Sequence, residues 1–166
     1  MPTHPDIAQL LAILDRAYNR RSWHGTNLRG SIRGLTPAQA LWRPAPARHN
    51  IHEVVVHAAY WKYAVCRRLT GEKRGAFPLK GSNWFPREGD PDDTAWQADV
   101  ALLERTHKAL RDAIALMRAN DLRRTSPGSK VSNFELISGI AAHDLYHAGQ
   151  IQLLKRLRAE PSRLVS

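Results

Sequence analysis

His143-Asp144-Leu145-Tyr146-His147-Ala148-Gly149-Gln150 sets two imidazoles four residues apart in a segment whose apolar residues, Leu136, Ile137, Ile140, Ala141, Leu145, Ile151 and Leu154, recur with helical period. Residues at i and i+4 stand one above the other on a helix, so His143 and His147 share a face, and the apolar pattern turns that face inward. Imidazoles on a core-facing stripe need partners for their ring nitrogens. A pair of hydrogen-bonded core histidines would meet that need. A divalent cation would meet it too, with this pair as half of the ligand set. A third ligand elsewhere in the chain decides between the two.

Ser132-Asn133-Phe134-Glu135 has the form of a capping box and Pro161 that of a stop, so this helix is predicted to run to about Ala159. Asn50-Ile51-His52-Glu53 has the same capping form, with Glu53 expected to reach back to the Asn50 backbone. It opens a second helix carrying Val54, His57, Ala58, Trp61, Val65 and Leu69 and closing at Gly71. Asp92-Asp93-Thr94 starts a third, with Val100, Leu103, Leu110, Ile114 and Met117 in period to Ala119, and Asp6 to Asn19 carries Ile7, Leu10, Leu11, Leu14 and Tyr18. Thr36-Pro37-Ala38-Gln39 caps a short helix before Pro44, and Gly25, Gly30 and Gly34 predict an irregular path with a bend near Trp23. Nothing reads as a strand pair. Four long amphipathic helices predict an all-α, antiparallel four-helix bundle. One long crossover, Glu72 to Asp93, contains Asn83-Trp84-Phe85-Pro86, either a wall of a site or an aromatic plug at one bundle end.

A chain of 166 residues is expected to form a single domain, residues 1–166, with a core that needs no disulfides. The lone cysteine, Cys66, the lack of an apolar run long enough to span a membrane and the lack of a leader pattern over Met1 to Leu14 predict a cytoplasmic protein with no membrane partner. Lys and Arg (25) exceed Asp and Glu (15) by ten, which raises nucleic acid as a partner. The basic residues are nevertheless scattered as Arg20-Arg21, Arg67-Arg68, Arg123-Arg124 and Lys155-Arg156, at predicted helix ends and polar faces rather than in a stripe. Nucleic-acid binding is not expected.

His57 falls on the inward face of the second long helix. With His143 and His147 it supplies three neutral imidazoles and leaves coordination positions free, the pattern of a catalytic rather than a structural metal centre. Zinc or nickel suits such ligands. Bound there, a divalent cation would lower the pKa of a water toward about 7 or hold a thiol as thiolate. The catalytic group is otherwise unassigned, with no Ser-His-Asp arrangement and no evident general base. Asp144 and Gln150 flank the ligands and could orient a ring nitrogen, although Asp144 could equally face solvent beside a basic residue. Trp61, Trp84 and Trp23 are expected to line the approach, with His24 beside Trp23 ambiguous. His4, His49, His52 and His107 read as terminus, linker, cap and surface residues, and Trp42 and Trp96 as surface anchors in polar settings.

The chain resembles the DinB/YfiT-like superfamily of four-helix-bundle metalloproteins. The resemblance is carried by Glu53-Val54-Val55-Val56-His57-Ala58-Ala59-Tyr60-Trp61, by Asn83-Trp84-Phe85-Pro86 and by His143 to Ile151, in an order and spacing extending from about Ile7 to Leu157. It implies a divalent metal on His57, His143 and His147, and a homodimer. Members of this superfamily include S-transferases using bacillithiol or mycothiol, a thiol-dependent isomerase and proteins described as metal-dependent hydrolases. The resemblance therefore implies a small-molecule substrate and either a low-molecular-weight thiol or an activated water. A non-catalytic, stress-associated metal-binding bundle is the third possibility. Arg20, Arg21 or Arg29 would suit the carboxylates of a thiol cofactor.

Overall fold

A computed structural model describes residues 4–126 and 129–159. Pro127, Gly128 and Pro161 lie outside them. Local sequence signals set most helix ends. Helix α1 (Pro5–Tyr18) begins at His4, whose ring accepts from the Asp6 N–H, with proline at the first helical position, where its missing donor costs nothing. Helix α2 (Leu28–Ser31) is a single turn capped by Asn27, and α3 (Pro37–Leu41) carries the full Thr36/Gln39 capping box. Helix α4 (Ile51–Thr70) starts at Asn50 and stops at Gly71, whose φ of 77° is the left-handed conformation that glycine takes at little steric cost. Helices α5 (Asp93–Ala115) and α6 (Asn133–Ala159) follow. Helix α5 ends earlier than Ala119 because the chain tightens there into a 3-10 turn over Ala119–Arg123. Ser132 and Glu135 exchange the reciprocal bonds of a capping box at the start of α6.

The long helices form an all-α four-helix bundle. The crossover between α4 and α5 fixes their direction. His52 lies 2.8 Å from Asp99 and, further along, Lys62 acts on His107, so the crossover makes α4 and α5 a parallel pair, whereas the other consecutive long helices run antiparallel. Asp15 pairs with Arg111, which sets α1 against α5, and the Ser126 hydroxyl donates to the Arg68 carbonyl, which brings the start of α6 to the end of α4. Among the described residues there is no strand beyond an isolated bridge between Thr125 and Ser132, and no helix is long and apolar enough to cross a membrane.

The core divides into two apolar clusters. One holds Leu28, Ile32, Val54, Val55, Trp96, Leu103 and Ile151; the other holds Ile7, Leu14, Val65, Leu110, Ile114 and Ile137. Burying each large aliphatic chain contributes about 1.5–3 kcal/mol. On α4, α5 and α6 the residues that separate the clusters are polar: His57 and Lys62, His107, and Asp144 with His147, all buried. The site lies in this polar layer, held rigid from both sides by apolar packing.

Several surface expectations fail here. Trp96 is only 2% exposed and its indole N–H donates to the Leu35 carbonyl, so it is a core residue and cannot anchor a partner. His107, expected at the surface, is buried as well, and so is His52 in the first turn of α4. Glu53 does not reach back to its helix cap. It accepts both guanidinium nitrogens of Arg43 at 2.6 and 3.0 Å and the Arg87 N–H, and its other contact is the His49 ring. Burial alone would raise the Glu53 pKa, but these partners hold it at about 2.

Candidate metal centre

His57 is presented by the middle of α4, and His143 and His147 by successive turns of α6. Their Nε2 atoms converge, with His57 to His143 at 3.1 Å and His143 to His147 at 3.0 Å. One ligand atom from each of the three rings can be chosen so that all lie within 4.8 Å of one another. Two outer nitrogens are committed. The Nδ1–H of His57 donates to the Asn83 carbonyl at 2.8 Å, and that of His147 donates to the Gln150 side-chain oxygen at 2.7 Å. Each of these bonds places the proton on Nδ1 and leaves a lone pair on the inward Nε2. His143 makes no such outer bond, its buried Nδ1 having no partner, so its inward Nε2 can either donate to a neighbouring imidazole or join the other two lone pairs on a cation. Nitrogens about 2.0–2.1 Å from a tetrahedral zinc would be about 3.4 Å apart, close to the separations seen.

Electrostatics keep the rings neutral, as metal ligation requires. Burial, followed by the neighbouring imidazoles His147 and His57 and then Lys62, pushes the His143 pKa down to about 3. Burial and His57 bring His147 to about 4, and His57 is lowered mainly by burial. The donor set, its tautomers and its spacing all fit a divalent cation.

Two tryptophans wall this centre. Trp84 stacks on the His57 ring at 3.9 Å and on His49 at 3.6 Å, so it lies between two imidazoles. Trp61 stands edge-on to His57 and His143 and donates its indole N–H to the Asn83 side chain. Asn83, with a φ of 67°, thus fastens the crossover to both Trp61 and His57. The aromatic loop divides its roles: Trp84 belongs to the site, whereas Phe85 is buried against Tyr60 and Phe77.

Other expected site residues lie elsewhere. Trp23 is 97% exposed and lines a separate cavity with His24, Arg21 and Leu145, because α1 ends at Tyr18 and the chain turns away from the three histidines. Arg20 and Arg29 border a different cavity, beside Tyr18 and His107. Asp144 neither orients a ligand ring nor faces solvent. It is fully buried and ion-paired with Lys62, itself fully buried on α4. Burial lowers the Lys62 pKa and raises that of Asp144, and each charge opposes the shift in the other. The Lys62 ammonium also lies 4.9 Å from the Tyr18 ring centre, and Tyr18 stacks on His107.

No motif in the sequence singles out Lys62, and His49, which reads there as a linker residue, stacks on Trp84 and contacts Glu53. Lys62 carries a usable signal, since it continues the spacing of Val55, Ala58 and Val65, where a solvent-facing lysine would not fit. His49 signals itself only through its i,i+4 relation to Glu53.

The fold has a solved counterpart. A crystal structure of a conserved protein from Enterococcus faecalis superposes with a TM-score of 0.65 at 16% sequence identity, covering 90% of this chain and 95% of that one. At that identity the likeness concerns the fold. No curated protein matches the sequence. A family model described as the DinB superfamily matches residues 20–151, most of the chain and all three histidines, and the chain belongs to that superfamily.

Proposed function

We propose that the protein is a metal-dependent enzyme that joins a low-molecular-weight thiol to an electrophile, with one divalent cation held by His57, His143 and His147. The observation that carries this reading is the convergence of three inward Nε2 atoms, two of them with the tautomer fixed by an oxygen acceptor on the far side of the ring. When bound, the cation supplies Lewis acidity that favours the ionised form of a thiol or a water molecule. Trp84 and Trp61 shield the approach and present flat apolar surfaces to a substrate.

Thiol transfer leads over hydrolysis because of what surrounds the three histidines. A water nucleophile benefits from a carboxylate to take its proton. The acid adjacent in sequence, Asp144, is occupied by Lys62, and Glu53 is occupied by Arg43. A thiol, more acidic than water, needs no such base. Membership of the DinB superfamily agrees with metal-centred chemistry of either kind. We place the protein in solution as a homodimer, with zinc or nickel as the metal.

The test is to incubate metal-loaded protein with bacillithiol or mycothiol and a haloaromatic or epoxide, and to follow conjugate formation against His143→Ala. Conjugation well above that control is expected. Conjugation equal to the control, with metal-dependent hydrolysis of an ester or amide panel, would replace transfer by hydrolysis. No activity in either assay would favour the non-catalytic bundle.

A further inference from the structure

A cavity of about 610 Å³ lies between α4 and the first part of the crossover, outside the three-histidine cluster but sharing Trp61 with its wall. Its aromatic surface comes from Tyr60, Trp61, Tyr63 and Phe77. Its charge comes from Arg67, Arg68, Arg74 and Lys80, none of which forms an ion pair with a carboxylate among the described residues. By contrast, Arg29, Arg43, Arg87 and Arg111 each have an acidic partner within 4.0 Å. Arg67, Arg68 and Arg74 also line a second hollow that contains Glu72, and with Lys80 they put four cations around this aromatic-walled one. Such a combination suits a ligand with a flat apolar body and an anionic group, since guanidinium groups pair with carboxylate, sulfonate or phosphate oxygens.

The loop that forms the outer wall is held in shape. The Tyr63 hydroxyl accepts the N–H groups of Gly75 and Ala76, at 3.2 and 3.3 Å. Gly81 and Ser82, at the far end of the cavity, directly precede Asn83, whose carbonyl holds His57 and whose side chain holds Trp61. A molecule seated here would touch both the loop that orients a metal ligand and the tryptophan beside it.

We infer that this cavity is the recognition site for a small organic anion with an aromatic or similarly flat body, the substrate class of the neighbouring centre. Its link to turnover rests on the metal-dependent reading above; binding itself does not. The probe is 1-anilinonaphthalene-8-sulfonate, compared with its uncharged parent N-phenyl-1-naphthylamine, with both followed by fluorescence titration. The sulfonate should bind one per chain, with the parent roughly tenfold weaker, about 1.4 kcal/mol. Arg67→Ala/Arg74→Ala should weaken the sulfonate roughly tenfold and leave the parent unchanged. The equally charged control Arg33→Ala/Arg105→Ala should bind as the wild type does. So should His143→Ala, whose metal content is measured separately. Retained metal in His143→Ala would count against the metal centre while leaving the cavity result intact. No saturable binding, equal affinity in Arg67→Ala/Arg74→Ala, or an equal loss in the control pair would overturn the inference.

Discussion

Lys62 and Asp144 form a fully buried ion pair in the middle of the bundle, next to a proposed metal ligand. Removing one partner leaves an uncompensated charge in an apolar setting, a loss of about 3–5 kcal/mol. Lys62→Met and Asp144→Leu should each lower the denaturant midpoint strongly, whereas the Lys62→Met/Asp144→Leu double variant should recover much of it. A double variant as unstable as the sum of the singles would show that the pair is not the coupled unit. Burial lowers the pKa values of His107, His143 and His147 to about 3, 3 and 4, against an ordinary value of 6.5. Between those values and 6.5 the unfolded chain binds more protons than the folded one. Metal-free protein should therefore hold its full stability above about pH 6.5 and lose it as the pH falls below that. Denaturant midpoints near pH 7.5 and near pH 5, on chelator-treated protein, check the sign. A midpoint unchanged between them would contradict the neutral, buried state of these rings.

The crossover is the element on which the site depends, because a single residue in it, Asn83, bonds to both His57 and Trp61 while the next residue, Trp84, stacks on His57. Adding zinc to metal-free protein should change tryptophan fluorescence, and most of that change should vanish in Trp84→Leu. The same response in the variant would mean that Trp84 does not report on the centre. Much of this element level was legible in the sequence. Asn50, Thr36, Asp92 and Ser132 mark helix starts through bonds made within a few residues, so the strings that encode them are local. The i,i+4 histidines and the inward His57 were legible for the same reason. Pairings across the bundle were not. Lys62 continues an inward spacing, but what compensates its charge shows only once Asp144 is placed opposite it, and His107 looks like a surface residue until Tyr18 covers it. Trp23 and His24 seemed to border the site only while α1 was taken to bend toward it. The chain leaves α1 after Tyr18, and both residues go to a separate cavity.

At the scale of the whole molecule, the bundle leaves large apolar side chains on the outer faces of α1 and α6, among them Ile13, Tyr146, Leu153 and Leu157. The proposed homodimer would give such side chains a surface to pack against. Light scattering across a wide concentration range should give the mass of a dimer, and a monomer mass throughout would remove the homodimer. Two apolar clusters hold the polar layer between them, so the three histidines are fixed before any ligand arrives. Preorganisation of this kind lets a site bind a cation without first paying to order its ligands. The most direct test is the metal content of protein purified without an affinity tag, measured by elemental analysis beside His147→Ala. The expected result is close to one zinc or nickel per chain in the wild type and almost none in the variant. Equal metal content in the two proteins would contradict the three-histidine centre.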